Sequence, residues 1–163
     1  MAYAATCAAD FDHVLRTLAL PRGRVFVDLG CGKGRTLLLA SLHPFARAVG
    51  VEFSGELCEV ARSNVTAFRA RHPAACDIEV VEADAAERPV APDEDVFFLF
   101  HPFRPVVLER ALANLAASAR ARPRPLWLIY NNPEHADLVE HSGLFGEATE
   151  VVRGRSRFLV YRS

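Results

Sequence analysis

Three glycines at alternate positions form the first candidate site for a small ligand. Gly30, Gly32 and Gly34 follow the apolar segment 25–29 and precede a segment with helical spacing. A strand, a glycine turn and a helix start together can bind anionic or strongly hydrogen-bonding groups, because the first N–H groups of a helix lack partners within it. The spacing differs from the Gly-x-Gly-x-x-Gly of a dinucleotide site, and Lys33 does not stand in the frame of a phosphate-binding loop. The pattern therefore predicts a nucleotide-type cofactor and leaves its identity open.

Two acids follow the next two predicted strands. Glu52 lies near the end of the apolar segment 47–53, and Asp84 comes just after the strand predicted over 77–82. In nucleoside-binding βαβ units an acid in the place of Glu52 accepts hydrogen bonds from the ribose hydroxyls. The alternatives are an exposed acid at a strand end for Glu52 and the cap of a short helix for Asp84. With the glycine turn in place, we favour the ribose role for Glu52, whereas Asp84 by itself could equally cap a short helix.

The fourth and fifth predicted strands end in residues that could face an acceptor substrate. Segment 95–100 is almost wholly apolar, which predicts a central strand, and His101-Pro102-Phe103 follows it. Ligands of open α/β sheets bind outside the carboxyl ends of the strands, so His101 could act there as a general base or merely hydrogen-bond a loop. Tyr130 ends the strand predicted over 126–130 and Asn131 follows it, so both could face the same crevice. Asn132 before a proline predicts the start of a helix over 133–141.

Alternating strands and helices predict an α/β fold for the whole chain. Helices are expected over 2–20, 34–43 and 105–120, and from Ser54, as a cap, through Phe68. Segments 145–152 and 156–162 have the pattern of a terminal hairpin. The length of 163 residues predicts one domain, with an N-terminal helical segment (1–22) before the core (23–163).

The run Asp28-Leu29-Gly30-Cys31-Gly32-Lys33-Gly34 resembles motif I of the class I S-adenosylmethionine (SAM)-dependent methyltransferases. The resemblance extends over nearly the whole chain, because five βα repeats and a terminal hairpin match the arrangement of that family. It implies a three-layer αβα Rossmann-like sandwich. The implied sheet has seven mostly parallel strands in the order 3-2-1-4-5-7-6, with an antiparallel C-terminal strand.

The same resemblance implies the site. The cofactor would be SAM, with S-adenosyl-L-homocysteine as the product, and Asp84 would receive the adenine amino group. The implied cofactor contacts are Asp28, Gly30, Cys31, Gly32, Gly34, Glu52, Phe53, Asp84 and Ala85. The implied substrate contacts are His101, Pro102, Phe103, Tyr130 and Asn131, with His101 as the catalytic residue. Many relatives that methylate amino nitrogens have Asn/Asp-Pro-Pro-Tyr/Phe after strand four, so the histidine is a departure from their pattern.

The composition narrows the classes of partner. Twenty acidic residues against 19 basic ones leave a net charge of -1, which gives no strong signal for nucleic acid or anionic membrane. Four scattered cysteines predict reduced, mainly packing thiols, and no metal cluster, signal peptide or membrane span is expected. We therefore predict a cytoplasmic methyltransferase acting on a nitrogen or oxygen of a small molecule or a protein, with lysine among the protein acceptors. The alternatives are a SAM-binding regulatory protein without turnover and a nicotinamide-dependent oxidoreductase.

Overall fold

The chain forms one seven-stranded sheet with helices on both faces. The computed structural model describes residues 6–100 and 103–163 and orders the strands β3-β2-β1-β4-β5-β7-β6. Strands β1 to β5 pair in parallel, and β7 runs antiparallel to both of its neighbours. The predicted fold class and strand order are thus confirmed. The strands are β1 Val25–Leu29, β2 Arg47–Glu52, β3 Asp77–Glu82, β4 Glu94–Phe100, β5 Trp127–Asn131, β6 Thr149–Arg153 and β7 Ser156–Arg162. The helices are α1 Ala8–Leu18, α2 Arg35–Ala40, α3 Gly55–Arg69, α4 Pro105–Ala121 and α5 Ala136–His141.

Side chains of the central strands alternate between two apolar clusters. Along β1, Val25 and Val27 join the cluster beneath α4 and α5, whereas Phe26 joins the cluster beneath α1 and α2. This period of two is the geometry of a pleated strand, and burial on both faces explains the apolar composition of β1, β4 and β5. The face to which a side chain belongs therefore depends on the parity of its position. That parity decides which strand-end residues reach the site.

Helix α1 is a packed part of the core. The buried Phe11 ring lies edge-on to Phe26 and Phe98, with centroid distances of 5.9 and 5.3 Å. Asp10 accepts a 2.7 Å hydrogen bond from the Ser156 hydroxyl at the start of β7. These contacts hold the N-terminal helix against both the central strands and the terminal hairpin.

The structure shifts several predicted boundaries. The prediction of Asn132 as the cap of a helix starting at 133 is wrong, because α5 starts at Ala136. Asn132 instead extends the β5–β7 pairing, since its N–H donates to the Arg157 carbonyl and its side-chain oxygen accepts from the Arg157 N–H. Ser54 does cap α3, accepting a 3.4 Å hydrogen bond from the Leu57 N–H. Across residues 6–100 and 103–163, none of the helices is long and apolar enough to cross a membrane.

Candidate functional site

A cleft of about 550 Å³ opens at the carboxyl ends of β1 to β4, and we call it the carboxyl-edge cleft. The parallel sheet brings these strand ends together although they are far apart in sequence. Six of the residues predicted for the site line the cleft: Gly30, Glu52, Phe53, Asp84, Ala85 and Phe103. The predicted cofactor and acceptor ends of the site therefore share one cavity.

The glycine turn is tied to the end of β2. Gly30, Gly32 and Gly34 all have positive φ, at 83°, 53° and 80°, a conformation that side chains with a Cβ adopt only at a cost. The N–H groups of Gly30 and Cys31 both donate to the Val51 carbonyl, at 2.7 and 3.0 Å. A Cβ placed on Gly30 would lie 3.1 Å from Cζ of Phe103, so this position also admits a close neighbour in the cleft.

Glu52 lies buried at the base of the cleft and has a fixed orientation. One carboxylate oxygen, Oε2, accepts from the Gly32 N–H, and the other, Oε1, accepts from the Ser54 N–H, both at 3.0 Å. The residue is 5% exposed, so the alternative of an ordinary exposed acid does not describe it. Each oxygen has further lone-pair capacity, which leaves the carboxylate able to accept ligand hydroxyls. The sequence could not show that Glu52 also braces the glycine turn, 20 residues away in the chain.

Asp28 and Cys31, both predicted as cofactor contacts, are buried behind the glycine turn. Burial raises the pKa of Asp28 to about 7, the nearby charge of Glu52 adds to the increase, and a hydrogen bond with Thr36 opposes it. The Cys31 side chain belongs to the apolar cluster beneath α1 and α2, and burial raises the pKa of its thiol. Neither residue is among those that line the cleft. The Asp28 carboxyl thus connects the end of β1 to Thr36 of α2, and Cys31 can offer a ligand only its backbone.

Asp84, which follows the end of β3, makes a hydrogen bond within its own loop. Its Oδ1 accepts a 2.8 Å hydrogen bond from the Ala86 N–H and so closes the turn after the strand. The residue is exposed and also lines the cleft beside the buried Ala85. Phe53 also lines the cleft and is 79% exposed, an unusual state for an aromatic residue. Asp84 therefore both shapes its loop and faces the cavity.

The structure describes three of the five residues predicted to contact the acceptor, and they lie in three different places. His101 and Pro102 lie outside the described residues, and Phe103 lies against Gly30. Tyr130 does not face the cleft, because its position on β5 directs it into the core cluster beneath α4 and α5. There, burial raises the pKa of its hydroxyl. Asn131, one position later, is on the opposite face of the sheet and is 1% exposed.

Several cleft residues were missed by sequence reasoning. Leu57 lies in the first turn of α3, and Arg104 and Val107 lie at the start of α4. The signal that could have found them was topological, since a helix that follows a parallel strand begins at the carboxyl edge of the sheet. Among the described lining residues, Arg104 is the only cation. No group of three or more His, Cys, Asp or Glu residues in the described ranges is arranged to hold a metal ion.

Comparison with known proteins agrees with this geometry. Residues 26–121, more than half of the chain, match a family model described as a methyltransferase domain. A stretch of 58 residues is 38% identical to an H3 lysine-79-specific histone-lysine N-methyltransferase of Aspergillus fumigatus. That match covers 36% of this chain and only 12% of the fungal protein, so the chain spans a small part of that relative.

Solved structures share the fold over nearly the whole chain. An RNA methyltransferase of Salinibacter ruber, in complex with S-adenosyl-L-homocysteine, aligns with a TM-score of 0.69 at 19% identity, over 98% of this chain and 93% of its own. A precorrin-6y C5,15-methyltransferase of Geobacter metallireducens aligns with a TM-score of 0.70 at 20% identity, over 100% and 93%. At such identities these neighbours bear on the fold alone. Because the family model spans the glycine turn, Glu52, Asp84 and α4, the chain belongs to the class I SAM-dependent methyltransferases, enzymes whose cofactor is SAM.

Proposed function

We propose that this enzyme methylates a nitrogen or oxygen of a small molecule or protein side chain, with the cofactor held along the carboxyl-edge cleft. Glu52 binds the ribose hydroxyls, Asp84 receives the adenine amino group, and Phe53 and Ala85 pack against the adenine. The backbone of the glycine turn, from Gly30 to Gly34, lies along the rest of the cofactor. The acceptor approaches at the end of β4.

The observation that carries this proposal is the buried, preoriented carboxylate of Glu52. Its two oxygens are held by the backbone N–H groups of Gly32 and Ser54, so the carboxylate does not have to be ordered when a ligand binds. A diol with adjacent hydroxyls matches two carboxylate oxygens that each retain acceptor capacity. The ribose of an adenosyl group has such a diol.

The residues around Glu52 fit the remainder of an adenosyl group. The exposed Phe53 ring presents an apolar face at the cleft mouth, which a purine would cover. Asp84 has used one hydrogen bond on Oδ1 to close its own turn, and a carboxylate has capacity for more, which suits an exocyclic amino group. Gly30 leaves space for a ligand where a Cβ would meet Phe103.

SAM, when bound, supplies a methyl group on a positively charged sulfonium. The protein has to hold the acceptor at near-attack distance with its lone pair free. His101 comes directly after the last residue of β4, and we assign it the role of general base that removes the acceptor proton. Phe103 offers an aromatic face that favours a nearby cationic centre.

The class of acceptor is narrowed by the shape of the site. Near the end of β4 the described cleft is lined by Phe100, Phe103, Arg104 and Val107, and the three apolar side chains suit an alkyl or aromatic amine or alcohol. The relative from Aspergillus fumigatus is a histone-lysine N-methyltransferase, so a lysine amine is one acceptor to test. Its match covers too little of either protein to favour lysine over small amines.

Two measurements test the proposal. Calorimetry should detect binding of S-adenosyl-L-homocysteine and no comparable binding of NAD. Radiolabelled SAM, supplied with panels of small amines, small alcohols and lysine-containing peptides, should yield a methylated product in at least one panel. Binding of NAD without S-adenosyl-L-homocysteine would overturn the cofactor assignment. Binding without turnover on every panel would contradict the proposed acceptor classes.

A further inference from the structure

The side-chain amide of Asn131 has a buried oxygen that accepts no hydrogen bond within the described part of the chain. Asn131 is 1% exposed, and its Nδ2 donates to the Thr6 hydroxyl at 3.4 Å, whereas Oδ1 has no partner among residues 6–100 and 103–163. Leaving a buried acceptor unpaired costs about 1–3 kcal/mol, so native proteins seldom retain one without a reason. A ligand that donates a hydrogen bond would remove this cost.

The position of Asn131 places its side chain beside a wall of the cleft. Parallel pairing sets Asn131 at the end of β5 in register with Phe100 at the end of β4. Residues in register on neighbouring strands lie about 4.8 Å apart and direct their side chains to the same face. Phe100 lines the carboxyl-edge cleft, so the amide lies one strand beyond the cleft wall. The Asn131 side chain is thus at the level where β4 ends.

Thr6 holds the amide in place from the other side. The Thr6 carbonyl accepts a 3.0 Å hydrogen bond from Nε of Arg35, the first residue of α2. Arg35 follows β1, Asn131 ends β5, and β4 lies between these two strands in the sheet. Because Thr6 bonds to both Arg35 and Asn131, it bridges them across the end of β4. The bond from Asn131 to Thr6 is long for N–H···O, which makes a small displacement of Thr6 inexpensive. A displaced Thr6 would leave space beside the amide for a ligand.

We propose that Asn131 binds the methyl acceptor through Oδ1 and that the acceptor is an amine. This inference rests on the proposed function and narrows its acceptor class. An amide oxygen accepts a hydrogen bond but has little basicity, so it can orient an acceptor without removing a proton. A hydroxyl would be held in its unreactive, protonated form. A neutral amine can donate one N–H to Oδ1 and still direct its lone pair at the methyl group.

The transfer then balances without a further reagent. The amine nitrogen forms a bond to the methyl carbon as the carbon–sulfur bond breaks, and sulfur retains that electron pair as a neutral thioether. The nitrogen becomes a substituted ammonium, and its extra proton leaves to solvent or to a base. Asn131 keeps its hydrogen bond to the nitrogen throughout and is chemically unchanged.

Side-chain amide NMR of the protein saturated with S-adenosyl-L-homocysteine tests this assignment. Aniline is the probe, and N,N-dimethylaniline is the matched probe that has the same ring but no N–H. Aniline should shift the Asn131 amide resonances in a saturable manner, and N,N-dimethylaniline should not. In Asn131→Leu the affinity for aniline should fall by about tenfold, the loss expected for one hydrogen bond of about 1.4 kcal/mol.

Stability and control variants separate a ligand-binding role from a structural one. Asn131→Leu should keep its affinity for S-adenosyl-L-homocysteine, and its melting temperature should be unchanged or higher because the unpaired oxygen is gone. Thr6→Val removes the amide's partner and should leave aniline binding intact. Equal responses to both probes, no response to either, or wild-type aniline affinity in Asn131→Leu would overturn the assignment while cofactor binding persists. Failure of the wild type to bind S-adenosyl-L-homocysteine would instead overturn the proposed function.

Discussion

Replacing Glu52 by alanine tests whether one carboxylate both holds the cofactor and braces the glycine turn. The substitution removes the acceptor from the N–H groups of Gly32 and Ser54. Water from the cleft can partly replace the lost acceptor. We therefore expect the free energy of unfolding to fall by about 1 kcal/mol for each N–H, or about 2 kcal/mol in total, which is the lower end of the cost of leaving a buried donor unpaired. Urea unfolding of the ligand-free protein measures this loss.

The same substitution removes the hydrogen-bond acceptor of the ribose. A hydrogen bond to a charged group contributes more than one between neutral groups, but water can replace part of it. We therefore expect the free energy of cofactor binding to weaken by about 1–3 kcal/mol. This loss corresponds to an increase of about 5- to 160-fold in the dissociation constant of S-adenosyl-L-homocysteine, measured by calorimetry. Glu52→Gln should fall between wild type and alanine, because its NH₂ group would face one of the two backbone donors.

Glu82→Ala is the matched control for this prediction. Glu82 ends β3 in register with Glu52, but it is exposed. Its loss should change stability by no more than about 0.5 kcal/mol, and it should leave cofactor affinity unchanged. The reasoning is refuted if Glu52→Ala loses stability and yet binds S-adenosyl-L-homocysteine as the wild type does. Glu52 would then serve only the turn.

Three further predictions concern the turn, the acid beneath it and the base. Gly30→Ala and Gly23→Ala both place a Cβ at positive φ, and urea unfolding should show that each variant loses about 1–2 kcal/mol of stability. Calorimetry should show weaker S-adenosyl-L-homocysteine binding only for Gly30→Ala, whose Cβ would meet Phe103, and equal binding in both variants would contradict the steric argument. The pKa of Asp28 is raised from 3.8 to about 7 in the folded protein, so stability should fall as the pH rises between these values, by on the order of 4 kcal/mol. Asp28→Asn should flatten this dependence in urea unfolding at pH 5 and pH 8, and an unchanged slope would assign it to other groups. His101→Ala should lower turnover by about 10²–10⁴-fold with cofactor affinity retained, and recovery of activity in His101→Asn would mean that basicity is not required.

The glycine turn and the alternation of strands with helices were determined by local sequence, whereas the strand order was implied by the family resemblance. An apolar segment followed by Gly30, Gly32 and Gly34 predicts a buried strand and a turn at positive φ, and both occur where expected. The alternation of strands and helices limits the topology strongly, because parallel strands require crossovers of one hand. Glu52 and Asp84 could likewise be assigned to the site from their distance to the turn and their place after a strand. These features depend on neighbouring residues and on regular periods, which a sequence displays directly.

The roles of the residues at the end of β5 depended on tertiary structure. Tyr130 and Asn131 look equivalent in sequence, yet strand parity directs Tyr130 into the core and Asn131 to the opposite face. Asn132 has a strong helix-capping pattern, but pairing with Arg157 in β7, 25 residues later, satisfies its backbone and side chain instead. The raised pKa of Asp28 depends on its burial behind the turn and on the charge of Glu52. Register, burial and partners distant in the chain arise only when the sheet assembles, so local patterns could not determine them.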